Sequence, residues 1–137
     1  MLSREQIDSA TTAVASIPNM DDLSETFYTN LFETAPEVRP MFGDDIKDQA
    51  KKLSATLSLA FKNLEKIETL VPTLKEMGAK HATYGVKPEH YGIVASTLIA
   101  TVETTLGPKF GSDAKDSFEA ILTLVAQVML EGAADAS

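Results

Sequence analysis

The chain has 137 residues, 44% of them hydrophobic and 23% charged, enough for one domain that buries roughly two-thirds of its unfolded surface. Twenty acidic residues against 12 basic ones leave a net charge of −8, and no Lys/Arg run exceeds a pair, so nucleic acid and anionic membrane are not expected partners. The absence of cysteine excludes disulfides, thiolate metal ligands and cysteine nucleophiles, and fits a reducing compartment.

In chain order, residues 1–6 show no basic-then-apolar secretion signal, so a cytoplasmic location is expected. Ser3 with Gln6 three residues later is a capping-box start for a helix to about Ser16, broken by Pro18-Asn19. Asn19 or Asp21 can cap a second helix carrying Leu23, Phe27, Tyr28, Leu31 and Phe32. Ala35-Pro36 ends it, because the residue before proline avoids the helical basin. Pro36 opens a short turn to about Phe42, and Gly43-Asp44-Asp45 reads as a loop. The periodicity predicts a long helix from about Ile46 to Lys66, with Gln49, Leu53, Leu57, Phe61 and Leu64 on one face. Leu70, Leu74, Met77, His81 and Tyr84 then share one face of a further helix, with Pro72 tolerated in its first turn.

Gly85 closes that helix and Pro88 opens another, to about Leu106, that is apolar nearly all round, as in a central buried helix. Gly107-Pro108 ends it. The last helix runs from Ser112 or Asp113 to about Glu131, with Phe118, Ile121, Leu122, Val125, Val128 and Met129. Its apolar run, residues 121–130, is interrupted by Thr123 and Gln127 and is too short to span a bilayer. Residues 132–137 are small and polar and are expected to fray. No stretch pairs strict alternation with β-branched enrichment, so the expectation is a single all-α domain, 1–137, of six to eight helices.

Most chemistries lack a motif. There is no glycine-rich phosphate loop, no HExxH and no GxSxG. His81 and His90 are separated by Gly85 and Pro88 and make a poor zinc pair, and the carboxylates scatter over polar faces. His81 on an apolar stripe is therefore either a satisfied core residue or the holder of a ligand. Tyr28 and Gln49 are likewise polar groups in apolar stripes, and burying either without a partner costs roughly 1–3 kcal/mol. An imidazole, a phenol and an amide converging on one cavity would suit haem, which takes one imidazole axially and leaves donors on the opposite side for a gas ligand.

The segments Phe27-Tyr28-Thr29-Asn30-Leu31-Phe32, Pro36-Glu37-Val38-Arg39-Pro40-Met41-Phe42, Lys80-His81 and Tyr84-Gly85-Val86-Lys87-Pro88-Glu89-His90-Tyr91 resemble bacterial single-domain haemoglobins, relatives of the globin domain of flavohaemoglobins. The resemblance runs over essentially the whole chain. It implies a globin fold, a three-over-three helical sandwich enclosing haem b, with His81 as the proximal iron ligand. By position it implies Phe42 packed flat on the porphyrin, Leu53 and Leu57 against the haem, Met77 and Val86 lining the proximal side, and Tyr91 approaching the proximal histidine. Tyr28 and Gln49 would be the distal pair. The implied function is reversible oxygen binding for capture, storage or delivery, with NO and CO as further ligands. Alternatives are a nitric oxide dioxygenase served by a separate reductase, a sensor of diatomic gases, or a cofactor-free helical interaction module. One position departs from the pattern. Where flavohaemoglobins carry a glutamate that hydrogen-bonds the proximal tyrosine–histidine pair, this chain has Ala133, and Glu131 lies roughly 200° away around a helix. The resemblance therefore implies less electron donation to the iron, better suited to holding oxygen than to splitting it.

Overall fold

The computed structural model describes residues 2–42 and 44–135, and among these described residues there are six α-helices. They are α1 (Arg4–Ala15), α2 (Met20–Thr34), α3 (Ile46–Lys62), α4 (Val71–Thr83), α5 (Pro88–Leu106) and α6 (Ser112–Asp135). Short 3-10 segments occupy Pro36–Met41, Leu64–Leu70 and Gly107–Lys109. No strand occurs among the described residues.

The helix starts follow local chemistry. Ser3 Oγ accepts from the Gln6 N–H at 3.1 Å while Gln6 Oε1 accepts from the Ser3 N–H at 2.9 Å, the reciprocal box anticipated above. Asn19 Oδ1 accepts from the Asp22 N–H at 3.1 Å, and Asp45 does the same for Asp48 at 3.0 Å. Asp45 therefore belongs to the start of α3 rather than to a free loop; Gly43 lies outside the described residues. Pro72 and Pro88 sit in first turns, where a missing N–H costs nothing.

Packing then sets two layers. The layer of α1, α3 and α4 lies against that of α2, α5 and α6, chiefly through α4 on α6, α2 on α3 and α1 on α6. The main core joins Phe27, Tyr28, Leu31, Phe61, Leu98, Val102, Phe118 and Ile121. A smaller cluster of Ala60, Leu70, Leu74 and Met129 ties α4 to α6. Two glycines allow that second contact: a methyl on Gly78 would come within 2.7 Å of Met129 Cα, and one on Gly132 within 2.6 Å of the Lys75 carbonyl carbon.

Four expectations need correction. The long third helix stops at Lys62, not Lys66, because Asn63 leaves helical backbone (φ −114°, ψ 24°) and its side-chain amide donates to the Leu59 carbonyl, with a second break at Lys66. Tyr84 does not share the buried face of α4; it caps the helix beyond Thr83 and is 61% exposed. Helix α5 is not buried all round: its buried residues, Thr97, Leu98, Ile99, Thr101, Val102 and Leu106, lie in the second half, while Ile93, Val94 and Ala95 in the first half line a cavity. The segment after Glu131 does not fray: α6 continues to Asp135, and Gly132 is buried against α4, with Ala136 and Ser137 outside the described residues.

Helix α6 is also longer than its 121–130 run suggested. With 24 residues and a mean hydropathy of 1.3 in its most apolar window, it is long and apolar enough to cross a bilayer. In the fold 28% of that window is buried, and Ile121, Leu122, Val125, Ala126 and Met129 line the cavity.

Candidate haem pocket

A cavity lined by helices of both layers has a volume of about 200 Å³. One wall comes from α2, the segment Pro36–Met41 with Phe42, and α3; the other comes from α4, α5 and α6. Its lining is apolar except for Tyr28, Thr56, His81, His90 and Tyr91. Small-molecule sites usually enclose roughly 300–1,000 Å³. Of the lining residues Val94 is exposed, and Val86 and His90 are among the partly exposed ones, so the cavity reaches the surface along the start of α5. A wider cleft of about 490 Å³ lies between α1 and α3, but its lining, with Asp8, Lys62 and Glu65 beside Ile7 and Phe61, offers no histidine and no convergent donors.

His81 stands in the last turn of α4, half-buried. Its Nδ1 lies 2.6 Å from the Met77 carbonyl oxygen one turn back. A carbonyl only accepts, so Nδ1 carries the proton and Nε2 keeps its lone pair. That tautomer is the one a metal ligand requires. Tyr91, half-buried on α5, stacks obliquely beside the imidazole, with ring centroids 6.5 Å apart at 33°, and burial raises its pKa.

On the opposite wall Tyr28 is 6% exposed. Its ring meets Phe42 edge-on at 5.3 Å and Phe32 at 5.9 Å. Arg39 caps the cluster, its guanidinium 5.1 Å from the Phe32 ring. Burial pushes the Tyr28 phenol up to about 12, so at neutral pH it is a proton donor. It makes no hydrogen bond to the described residues.

The cavity brings together Tyr28, Phe42, Leu53, Leu57, Met77, His81, Val86 and Tyr91. It does not bring in Gln49. That residue lies on the stripe of Leu53 one turn nearer the helix start, half-buried and outside the lining, because the wall supplied by α3 begins at Leu53. His90, set aside above as half of a poor zinc pair, also lines the cavity. Its Nδ1 accepts from the Lys87 N–H at 2.9 Å, which turns the ring back over the helix start. The signal for this was present in the sequence: a side-chain acceptor at the third helical position can satisfy the cap N–H, as Gln6 does in α1. Neither Glu131 nor Ala133 lines the cavity.

A helical domain whose layers close over an apolar cavity, with a metal-competent imidazole on one wall and a phenol donor on the other, is built to hold a flat prosthetic group. The globin family model matches residues 25–129. Flavohemoproteins of Oceanobacillus iheyensis and Bacillus subtilis are 28% and 27% identical over 133 and 123 residues, covering 90% and 85% of this chain and 33% and 31% of those proteins. The chain thus spans about a third of the length of these curated relatives. A bacterial globin from Campylobacter jejuni is 28% identical, with a TM-score of 0.86 over 97% of each chain. An engineered carbene transferase from Rhodothermus marinus, 23% identical, shares the fold with a TM-score of 0.89 over 98% of this chain and 95% of that one. The chain belongs to the globin family and is a haem-binding globin of the bacterial type.

Proposed function

We propose that the chain holds haem b through His81 and binds oxygen reversibly, with Tyr28 as the principal donor to the gas. The observation that carries this reading is the 2.6 Å contact of His81 Nδ1 with the Met77 carbonyl: the carbonyl accepts from Nδ1–H, which in the neutral ring leaves Nε2 free to hold iron. Haem supplies a ferrous iron able to take a diatomic ligand. Everything else falls to the chain's own side chains. Leu53, Leu57, Met77, Val86 and Phe42 line the cavity and would surround the group with apolar side chains that keep water out. The Tyr28 phenol, protonated at neutral pH, donates to a partly charged ligand, an interaction worth about 1.5–3 kcal/mol. The partner on Nδ1 is a neutral carbonyl rather than a carboxylate, so the imidazole donates less electron density, which favours retention of oxygen over its cleavage. We place this activity in the cytoplasm, and read residues 1–137 as a single globin domain.

The test is a haemin titration followed by absorption. A sharp Soret band in the wild type that is lost or displaced in His81→Ala is expected; a band indifferent to that change rejects the reading.

A second reading rests on the flavohemoproteins among the relatives, whose length the chain covers only to about a third. With electrons from a separate reductase, the same pocket would serve a nitric oxide dioxygenase. Sustained NO consumption with a reductase present supports that role, and consumption that stops after one equivalent returns the protein to oxygen binding.

A further inference from the structure

We propose that the glycine crossing between α4 and α6 is a positioning device for His81: Gly78 and Gly132 let the two backbones touch, and that contact sets the height and tilt of the imidazole. The inference rests on the reading of His81 as the iron ligand.

Of the described glycines, Gly85, Gly92, Gly107 and Gly111 face open space, whereas Gly78 and Gly132 meet backbone. The contact is reciprocal. Gly78 of α4 lies against Met129 of α6, and Gly132 of α6 lies against Lys75 of α4, three residues before Gly78. Neither neighbour is the end of a flexible side chain, so neither can yield without moving a helix. Glycine inside a helix costs about 1 kcal/mol relative to alanine. Here that cost comes with an approach that no other residue permits.

The place of the crossing matters as much as its closeness. Gly78 follows Met77, whose carbonyl fixes the His81 ring, and stands one turn before His81 itself. The only fully buried residues of α4 are Leu74 and Gly78, so the helix is held along a single stripe that ends at this contact. The flanking Lys75–Asp135 ion pair, 3.6 Å apart and largely exposed, adds little. A methyl inserted at either glycine would lever α4 off α6 and carry the Met77 carbonyl and the imidazole with it. In this chain, then, the last helix acts on the proximal ligand through its backbone.

The experiment uses the full, haem-loaded chain. Gly78→Ala and Gly132→Ala are compared with wild type by the iron–histidine stretching band of the ferrous form and by the rate of haem loss to a scavenging apoglobin. A displaced band and haem loss about 10- to 100-fold faster are expected, the range seen when a group that orients a metal ligand is removed. Ala10→Gly in α1, which packs on α6 and does not line the cavity, is the stability control: it should lower Tm and leave the band in place. An unmoved band in both glycine variants overturns the proposal, and so does a band that moves equally in the control. Should the variants fail to fold, amide exchange of the wild type decides: protection at Gly132 and Ala133 supports the docked crossing, and exchange there at free-peptide rates overturns it. A wild type with no His81-dependent Soret band overturns the haem reading instead, whereas a normal band at unchanged frequency in the variants overturns only the positioning.

Discussion

Replacing Tyr28 by phenylalanine separates function from stability in one residue. The ring, which packs against Phe27 at 5.1 Å and Phe42 at 5.3 Å, is retained, and only the hydroxyl is lost. That hydroxyl makes no hydrogen bond to the described residues, so its removal orphans no buried partner, and stability should stay within about 1 kcal/mol of wild type. The ligand, by contrast, loses a donor worth about 1.5–3 kcal/mol, so oxygen should dissociate about 10- to 150-fold faster. Stopped-flow displacement of oxygen by CO measures this, with urea unfolding run in parallel. The phenol adds a pH signature. Its pKa is about 12 in the fold against 10.0 unperturbed, so the unfolded chain gives up the proton first. The corresponding stability is whole below pH 10 and is lost as pH rises towards 12, about 3 kcal/mol in all. Tyr28→Phe should lack that alkaline loss, and the wild-type off-rate should be flat from neutral pH to about 10. An unchanged off-rate in the variant, or a wild-type break near pH 8, would refute the reasoning.

Other changes probe the frame. Gln49→Leu should raise the oxygen off-rate less than Tyr28→Phe does, because Gln49 lies outside the cavity lining; an equal or larger rise would show that the amide reaches the ligand. Ser24 is fully buried and its Oγ has no partner, so Ser24→Ala should leave stability unchanged or raise it by about 1 kcal/mol in urea titration, and a loss of that size would contradict the orphaned hydroxyl. Phe118, 2% exposed, packs at a tilt against Phe61 at 5.0 Å and meets Phe110 edge-on at 5.2 Å; Phe118→Ala should cost about 3–5 kcal/mol by thermal unfolding, and a cost below 1 would mean that this core can close over the gap.

What was legible in the sequence was what neighbours in the chain decide. Ser3 with Gln6, Asn19, Ala35-Pro36, Pro88 and Gly107 mark their helix ends through bonds or clashes only a few residues long. The periodicity of α4 put His81 with Leu74 and Met77, and that of α2 put Tyr28 inside. The misreadings sit where distant contacts decide. Gly132 packs against the Lys75 backbone, far off in sequence, and no neighbour in the chain announces that contact. The apolar first half of α5 read as core because hydrophobicity alone does not distinguish a packed wall from a cavity wall.

The distribution of aromatics around the cavity has an optical consequence. The chain has three tyrosines and no tryptophan. Two of them, Tyr28 and Tyr91, are in the cavity wall, and the third, Tyr84, has its ring 6.5 Å from that of His81. All tyrosine emission of the protein therefore originates beside the ligand space, with no indole elsewhere to mask it. A bound chromophore absorbing in the near ultraviolet would quench all three fluorophores together. Occupancy could then be followed on the unlabelled chain at concentrations too dilute for absorbance.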